Sequence, residues 1–317
     1  GAMKELVSLA KKHDIQFLGV GPAQGSAAVE VVPDLVSLAS CLSLSIPVPL
    51  TPEGIPDHNR ALNAADACLR ISEETPGGIG NFQLAVGFNS RPNIPFFPVG
   101  YHRGPSMAFS VGCETAPTVS KAMENSSDLN AVSRSIRDSL EKSFFIVDAT
   151  AKRMESKLGV TYNGIDASVA PNPDLYSLTN GYQALGLGRF GQSGSLFISS
   201  LITQAAKSVR VHKTGYSGLM LPPLEDNGLA HLAMNTYRIH DLLLYSAVCG
   251  VGLDTVPIPG DTPREKIAAL YMDCAALAFR LDKPLTARLF PVKGKKAGEM
   301  TVFDSPYMCN GKIFEVP

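Results

Sequence analysis

The chain has 317 residues, 45% hydrophobic and 18% charged, and its 28 Lys plus Arg nearly cancel 29 Asp plus Glu for a formal net charge of −1. Such a length suits two ordinary domains or one large α/β unit, and the apolar content excludes a disordered chain. A neutral balance without a basic stripe disfavours nucleic-acid binding, and the longest uncharged stretch, residues 35–52, is broken by serines and by Pro47 and Pro49, which argues against a membrane span.

Residues 4–13 read as a short helix with Leu6, Val7, Leu9 and Ala10 on its apolar side, running into an apolar strand over 15–20 that Gly21-Pro22 ends. A helix over 32–40 and a strand over 42–48 follow. Residues 56–74 are amphipathic, with Leu62, Ala65, Cys68 and Leu69 on one side, and stop at Pro76-Gly77-Gly78. Next come a strand over 82–88, a Pro-rich loop over 91–104 and a strand over 107–111. The longest helical pattern covers 128–158, striped by Val132, Ile136, Leu140, Phe144, Ile146, Val147 and Ala151. Beyond it the pattern predicts a strand over 164–170, helices over 174–185 and 195–207, and a strand over 209–211. A helix over 227–244 with a break near Asn235, a strand over 247–258, a helix over 263–281 and a strand over 285–292 complete the series. Strands and helices alternate through short connections without an internal repeat. The pattern points to a mainly parallel α/β architecture, as a barrel or as an open doubly wound sheet.

The six cysteines, Cys41, Cys68, Cys113, Cys249, Cys274 and Cys309, lie far apart with no C-x-x-C pair. That spacing suits free thiols in a reducing cytoplasm better than a disulfide frame or a structural zinc site. Gly1-Ala2 before Met3 reads as an expression scar, and no secretory signal pattern opens the chain.

Several motifs carry chemistry, and each has a plainer structural explanation. Gly186-Leu187-Gly188-Arg189-Phe190-Gly191 spells G-x-G-x-x-G, but a helix precedes it and no acidic residue follows at the required distance, so no nucleotide motif is assigned. The turn could hold an anion with Arg189 and Ser193, or simply start a helix. Gly215-Tyr216-Ser217-Gly218 is only a partial echo of a nucleophile elbow. Asp166 and Asp254 sit in otherwise apolar runs, where a carboxylate needs hydrogen bonds, an ion pair or a metal. Each could tie down neighbouring loops or act in a site, whereas Asp261 before Pro263 reads as a helix cap. Glu225-Asp226 could cap a helix, shuttle protons or take a hard divalent cation. His102, between Tyr101 and Arg103 in a Gly/Pro loop, is a general-base candidate or an exposed loop histidine. Lys213 lies in a second polar cluster leading to Tyr216 and Ser217. Arg288 alternates into an apolar strand and could pair with a buried Asp or a substrate carboxylate. Cys249 reads as a core residue or a strand-end thiol.

Phe96-Phe97-Pro98-Val99-Gly100-Tyr101-His102, Gly164-Ile165-Asp166-Ala167-Ser168-Val169-Ala170-Pro171, Gly188-Arg189-Phe190-Gly191-Gln192-Ser193-Gly194 and Lys213-Thr214-Gly215-Tyr216-Ser217-Gly218-Leu219-Met220-Leu221-Pro222 resemble, in order, the family known as domain of unknown function 711. Glu225-Asp226, Ala247-Val248-Cys249-Gly250-Val251-Gly252-Leu253-Asp254, Ile258-Pro259-Gly260-Asp261-Thr262 and Leu285-Thr286-Ala287-Arg288 continue the resemblance. It implies a single large β/α barrel over residues 3–317, like that of the pyruvate formate-lyase group of glycyl-radical enzymes. Fold kinship carries no chemistry by itself. The chain ends Asn310-Gly311-Lys312-Ile313-Phe314 without the glycyl-radical segment, so no radical mechanism is expected. Family members carry further sequence before the point matching Lys4, which implies a barrel incomplete at its N-terminal edge and covered in a homo-oligomer.

The leading expectation is an enzyme that acts on a small polar or anionic metabolite by acid–base chemistry. Asp166, Asp254 and His102, with Cys249, are its catalytic candidates. Tyr101, Arg189, Ser193, Lys213, Tyr216, Ser217 and Arg288 are candidates for substrate binding, and Glu225 with Asp226 for a divalent cation. The alternative is a non-catalytic metabolite-binding or regulatory protein.

Overall fold

The computed structural model describes residues 1–126 and 128–317. Helix α1 (Ala2–Lys12) leads into the two-residue strand β1 (Leu18–Gly19), two short helices α2 (Ser26–Glu30) and α3 (Val32–Leu38), and strand β2 (Leu42–Pro47). Helix α4 (His58–Glu74) starts where Asp57 accepts a hydrogen bond from the Arg60 amide at 3.0 Å. A 3₁₀ segment, Pro76–Gln83, then delivers the chain to β3 (Leu84–Phe88). Strand β4 (Ala108–Gly112), helices α5 (Ala116–Glu124) and α6 (Leu129–Leu158), and strand β5 (Thr161–Asp166) follow. The 30-residue α6 ends at Gly159, whose φ of 66° supplies the left-handed turn that stops it. Helices α7 (Thr179–Ala184), α8 (Ser195–Ser208), α9 (Asn227–Leu232) and α10 (Ile239–Ser246) precede β6 (Gly252–Pro259), α11 (Arg264–Arg280) and β7 (Leu285–Val292).

The strands form a five-stranded sheet in the order β1-β2-β3-β7-β6 and a parallel pair β4-β5. In the larger sheet only the β3/β7 junction is antiparallel. Isolated parallel bridges, Ile165 to Lys213 and Val169 to Leu219, extend the smaller sheet along residues 213–219. Among the described residues these ladders do not close into a barrel. The fold is therefore mixed α/β with mainly parallel strands.

Period-2 alternation decides what each face of β7 meets. Leu285, Ala287 and Leu289 pack into one apolar cluster with Ala64, Cys68 and Ile71 of α4 and Tyr271 and Cys274 of α11. Thr286 and Arg288 point to the opposite face, together with Ala85 of β3. All eight residues of β7 are buried, so this second face is also covered by protein. A polar side chain there must find partners inside the molecule.

Several expectations shift. The strand expected over 15–20 shrinks to β1, and the one expected over 164–170 begins earlier and ends at Asp166. The helix expected over 174–185 is ordered as α7 only from Thr179. No strand forms over 209–211: the Arg210 amide donates to the Glu141 carboxylate at 3.0 Å rather than to a ladder. Residues 247–251 are likewise not strand, since Lys283 Nζ holds the Ala247 and Cys249 carbonyls at 3.1 and 2.7 Å. The break near Asn235 separates α9 from α10, and α5 occupies a stretch for which no element is expected. Among the described residues, no helix is long and apolar enough to cross a membrane.

Candidate functional site

Pairing between β6 and β7 builds the site. Leu253 faces Ala287 and Val256 faces Leu289, so Asp254 and Thr255 together oppose the single Arg288. This is a β-bulge, a feature that breaks the pleat and re-aims a side chain. Thr255 carries the bulge with φ 44°, and the Asp254 carboxylate meets the guanidinium. Arg288 Nε donates to Asp254 Oδ1 at 2.5 Å and Nη2 to Glu225 Oε1 at 2.6 Å. Glu225 comes from the turn before α9, so the guanidinium joins two strands and a helix start. The three side chains are 6%, 8% and 19% exposed for Arg288, Asp254 and Glu225. At such burial a charge survives only with close partners.

These groups line a cavity of about 150 Å³. One wall is the inner face of the large sheet, with Ala85, Thr286 and Arg288; another is formed by Ala170–Pro173, Tyr216 and Met220, beside the bridge of Val169 to Leu219. Phe82, Phe96, Phe97 and Tyr307 supply an aromatic side, and Glu114 adds a third carboxylate. The guanidinium carbon of Arg288 lies 5.2 Å from the Phe82 ring centre and 5.7 Å from that of Phe97, within cation–π range. Arg288 Nη1 is buried with no hydrogen-bond partner.

The electrostatics single out Glu225. Burial pushes the Glu225 carboxyl up to about 7; Arg288 pulls it down, and the negative charges of Asp254 and Glu114 push it up again. The guanidinium gains from both carboxylates more than burial costs it, so it stays charged. A carboxyl that titrates near neutrality beside a fixed ion pair is the arrangement that acid–base chemistry requires.

Of the residues singled out in the sequence, Asp254, Tyr216, Glu225 and Arg288 line this cavity. Tyr216 turns its hydroxyl to Thr286 Oγ1 at 3.3 Å. Asp166 does not reach the cavity: its carboxylate accepts from the Ser168 amide and hydroxyl at 3.0 and 2.6 Å and from the Tyr216 and Ser217 amides at 2.8 Å each. It ties the 214–218 loop to the end of β5. Ser217 completes that knot, with its Oγ between the Thr214 carbonyl and the Ala167 amide. His102 and Tyr101 line a separate depression, where exposed His102 shares a 3.0 Å hydrogen bond with the Gly104 carbonyl. Cys249 is buried in the apolar core.

Arg189 and Ser193 are exposed at the turn before α8, and Lys213 is exposed with Nζ on the Val209 carbonyl at 2.5 Å. None of the three faces the cavity, so the anion-holding role expected of Arg189 has no support there. Glu225 and Asp226 diverge. Asp226 caps α9 through the Gly228 and Leu229 amides at 2.8 and 3.0 Å, and also accepts from Ser177 Oγ and the Leu178 amide. The cation site expected from this pair therefore does not assemble, and among the described residues no three His, Cys, Asp or Glu side chains converge to hold an ion.

Sequence reasoning missed Phe82, Tyr307 and Glu114. Phe82 is read as the start of a strand but belongs to the 3₁₀ segment, and Tyr307 carries no local signal.

The sequence pattern of a family described as Uncharacterised ACR (DUF711) matches residues 2–304. A UPF0210 protein of Pyrobaculum islandicum is 31% identical over 339 residues, covering 99% of this chain and 74% of the relative. A UPF0210 protein of Methanopyrus kandleri is 29% identical, covering 86% and 62%, and one of Pyrobaculum aerophilum is 30% identical, covering 93% and 68%. The chain thus spans between 62% and 74% of the length of these three relatives.

Proposed function

The chain belongs to the DUF711 family, and from that footing we propose that it is an enzyme whose Arg288 cavity performs acid–base chemistry on a small polar metabolite. Glu225 takes and returns the proton. Asp254 fixes the plane of the guanidinium through the Nε hydrogen bond, and Arg288 holds Glu225 in position. The observation that carries this reading is the pairing of a carboxyl raised to about 7 with a carboxylate and a guanidinium in one cavity. Perturbed titratable groups that converge in a concave site are the usual mark of catalysis.

The wider architecture we read as part of a β/α barrel like that of the pyruvate formate-lyase group, with the cavity inside it. Two features support this: the cavity lies between the large sheet and the segments that follow β5 and its bridged neighbour, and residues 213–219 prolong the smaller sheet. Six unpaired cysteines support a cytoplasmic location.

Incubating the protein with a defined mixture of small polar metabolites, and following each by mass spectrometry, tests the reading. Wild-type protein should consume one of them, and Glu225→Gln should not. No consumption, or equal consumption by the variant, contradicts it. A non-catalytic binding protein is the second reading, favoured by one observation: Arg288 is already paired with both carboxylates, Asp254 and Glu225.

A further inference from the structure

We propose that the molecule recognised in the Arg288 cavity carries a cationic amine together with an oxygen acceptor, as an amino alcohol or a small amino acid does. The proposal takes from the preceding reading only the choice of cavity as the site.

The charges of the lining come first. Asp254, Glu225 and Glu114 face the cavity, and Arg288 is its single cationic lining residue among those described. Two of the three guanidinium nitrogens are already engaged by Asp254 and Glu225. An entering anion would meet an excess of carboxylates and find no free bidentate fork. An ammonium group meets the opposite situation.

The apolar part of the lining points the same way. Phe82 and Phe97 already present ring faces to a cation, the Arg288 guanidinium, at 5.2 and 5.7 Å. Tyr307 stacks on Phe82 with centroids 5.6 Å apart and planes 11° apart, which lengthens the aromatic wall. Aromatic faces combined with carboxylates are the surroundings in which proteins hold alkylammonium groups.

The acceptor follows from Arg288 Nη1. This nitrogen lacks a partner on a side chain only 6% exposed, and a buried N–H donor without an acceptor is costly. A ligand bearing an amine alone leaves it unsatisfied; a carboxylate alone leaves the surplus negative charge in place. A molecule with both groups answers both.

Proton linkage supplies a signature. Glu225 faces Arg288, Asp254 and Glu114, with the Cys309 thiol also nearby. A bound cation favours its ionised form, so amine binding below pH about 7 should expel a proton.

Isothermal titration calorimetry on the full chain, in buffers of different ionisation heat at a pH below about 7, tests this with ethanolamine, glycine, alanine and serine against glycolate, lactate and glycerate. Binding by amine-bearing probes with proton release, and none by the amine-free acids, is the expected result. Glu225→Gln should weaken that binding about tenfold or more. Glu114→Gln, on an exposed side chain, should weaken it less and guards against a folding defect in the first variant. Tighter binding of the amine-free acids, or no binding by any amine, overturns the proposal. Amine binding without turnover upholds it while removing the acid–base reading; turnover of an amine-free metabolite does the reverse.

Discussion

Arg288 of β7 and Asp254 of the neighbouring strand β6 form a buried ion pair, Nε to Oδ1 at 2.5 Å, at the point where a bulge sets two residues of β6 against one of β7. The same guanidinium reaches Glu225 at 2.6 Å. Removing it strands two carboxylates in a cavity that offers no replacement. Arg288→Met is expected to cost about 3–5 kcal/mol at neutral pH, and less on acidification as Glu225 protonates. Urea unfolding at pH about 5 and about 8 checks both the size and the direction.

Glu225 itself works against the fold when it ionises. Its carboxyl titrates at about 7, above the ordinary 4.5, so the stability it contributes is complete below pH 4.5 and is lost as pH rises through about 7. Glu225→Gln carries no charge to lose. Its stability relative to wild type should rise across that window, by up to about 3 kcal/mol at the alkaline end. A pH-independent difference between the two proteins would contradict this.

The sequence makes Arg288 and Asp254 legible, because each is a charge in an apolar strand and such a charge needs a partner. Which partner each finds depends on a bulge that no local pattern announces. Glu225 is recognisable as chemically active but is paired in the sequence with its neighbour Asp226, since adjacent carboxylates resemble a cation site. The fold divides them: Asp226 is used to start α9, and Glu225 turns to a strand that lies far along the chain. His102 shows the opposite difficulty. An imidazole in a Gly/Pro loop resembles a catalytic base, yet it is exposed and bonded to a carbonyl two residues on. The triplet at 209–211 reads as strand by β-branched content, but a side chain of α6 takes its backbone donor. Long, strongly patterned elements such as α6, α11 and β7 are readable because burial of one stripe or of both faces fixes them.

Asp166 is expected to be structural. Its carboxylate accepts from three backbone amides and the Ser168 hydroxyl, and an amide side chain would turn a donor towards some of those donors. Asp166→Asn should therefore destabilise the protein by about 1–3 kcal/mol. Gly215→Ala should act on the same knot, since a Cβ there would sit 2.0 Å from Asp166 Oδ2 at a φ of +66°. Thermal unfolding of each variant provides the check.

Glu141 of α6 receives the Arg210 guanidinium through two hydrogen bonds of 3.0 and 2.8 Å and the Arg210 amide through a third at 3.0 Å, joining α6 to the end of α8. Those guanidinium bonds, outweighing burial, hold its carboxyl down at about 2. Its contribution is present above the ordinary 4.5 and disappears as pH falls through about 2. Glu141→Gln should lower Tm at neutral pH, and the difference from wild type should narrow towards that limit.

The titration of Glu225, followed by carbon-13 NMR of its carboxyl in glutamate-labelled protein with Glu225→Gln to assign the signal, tests the acid–base reading most directly. The expected midpoint is about 7, moving lower in the presence of ethanolamine. A midpoint near the ordinary 4.5 would contradict the assignment of Glu225 as the proton-transferring group.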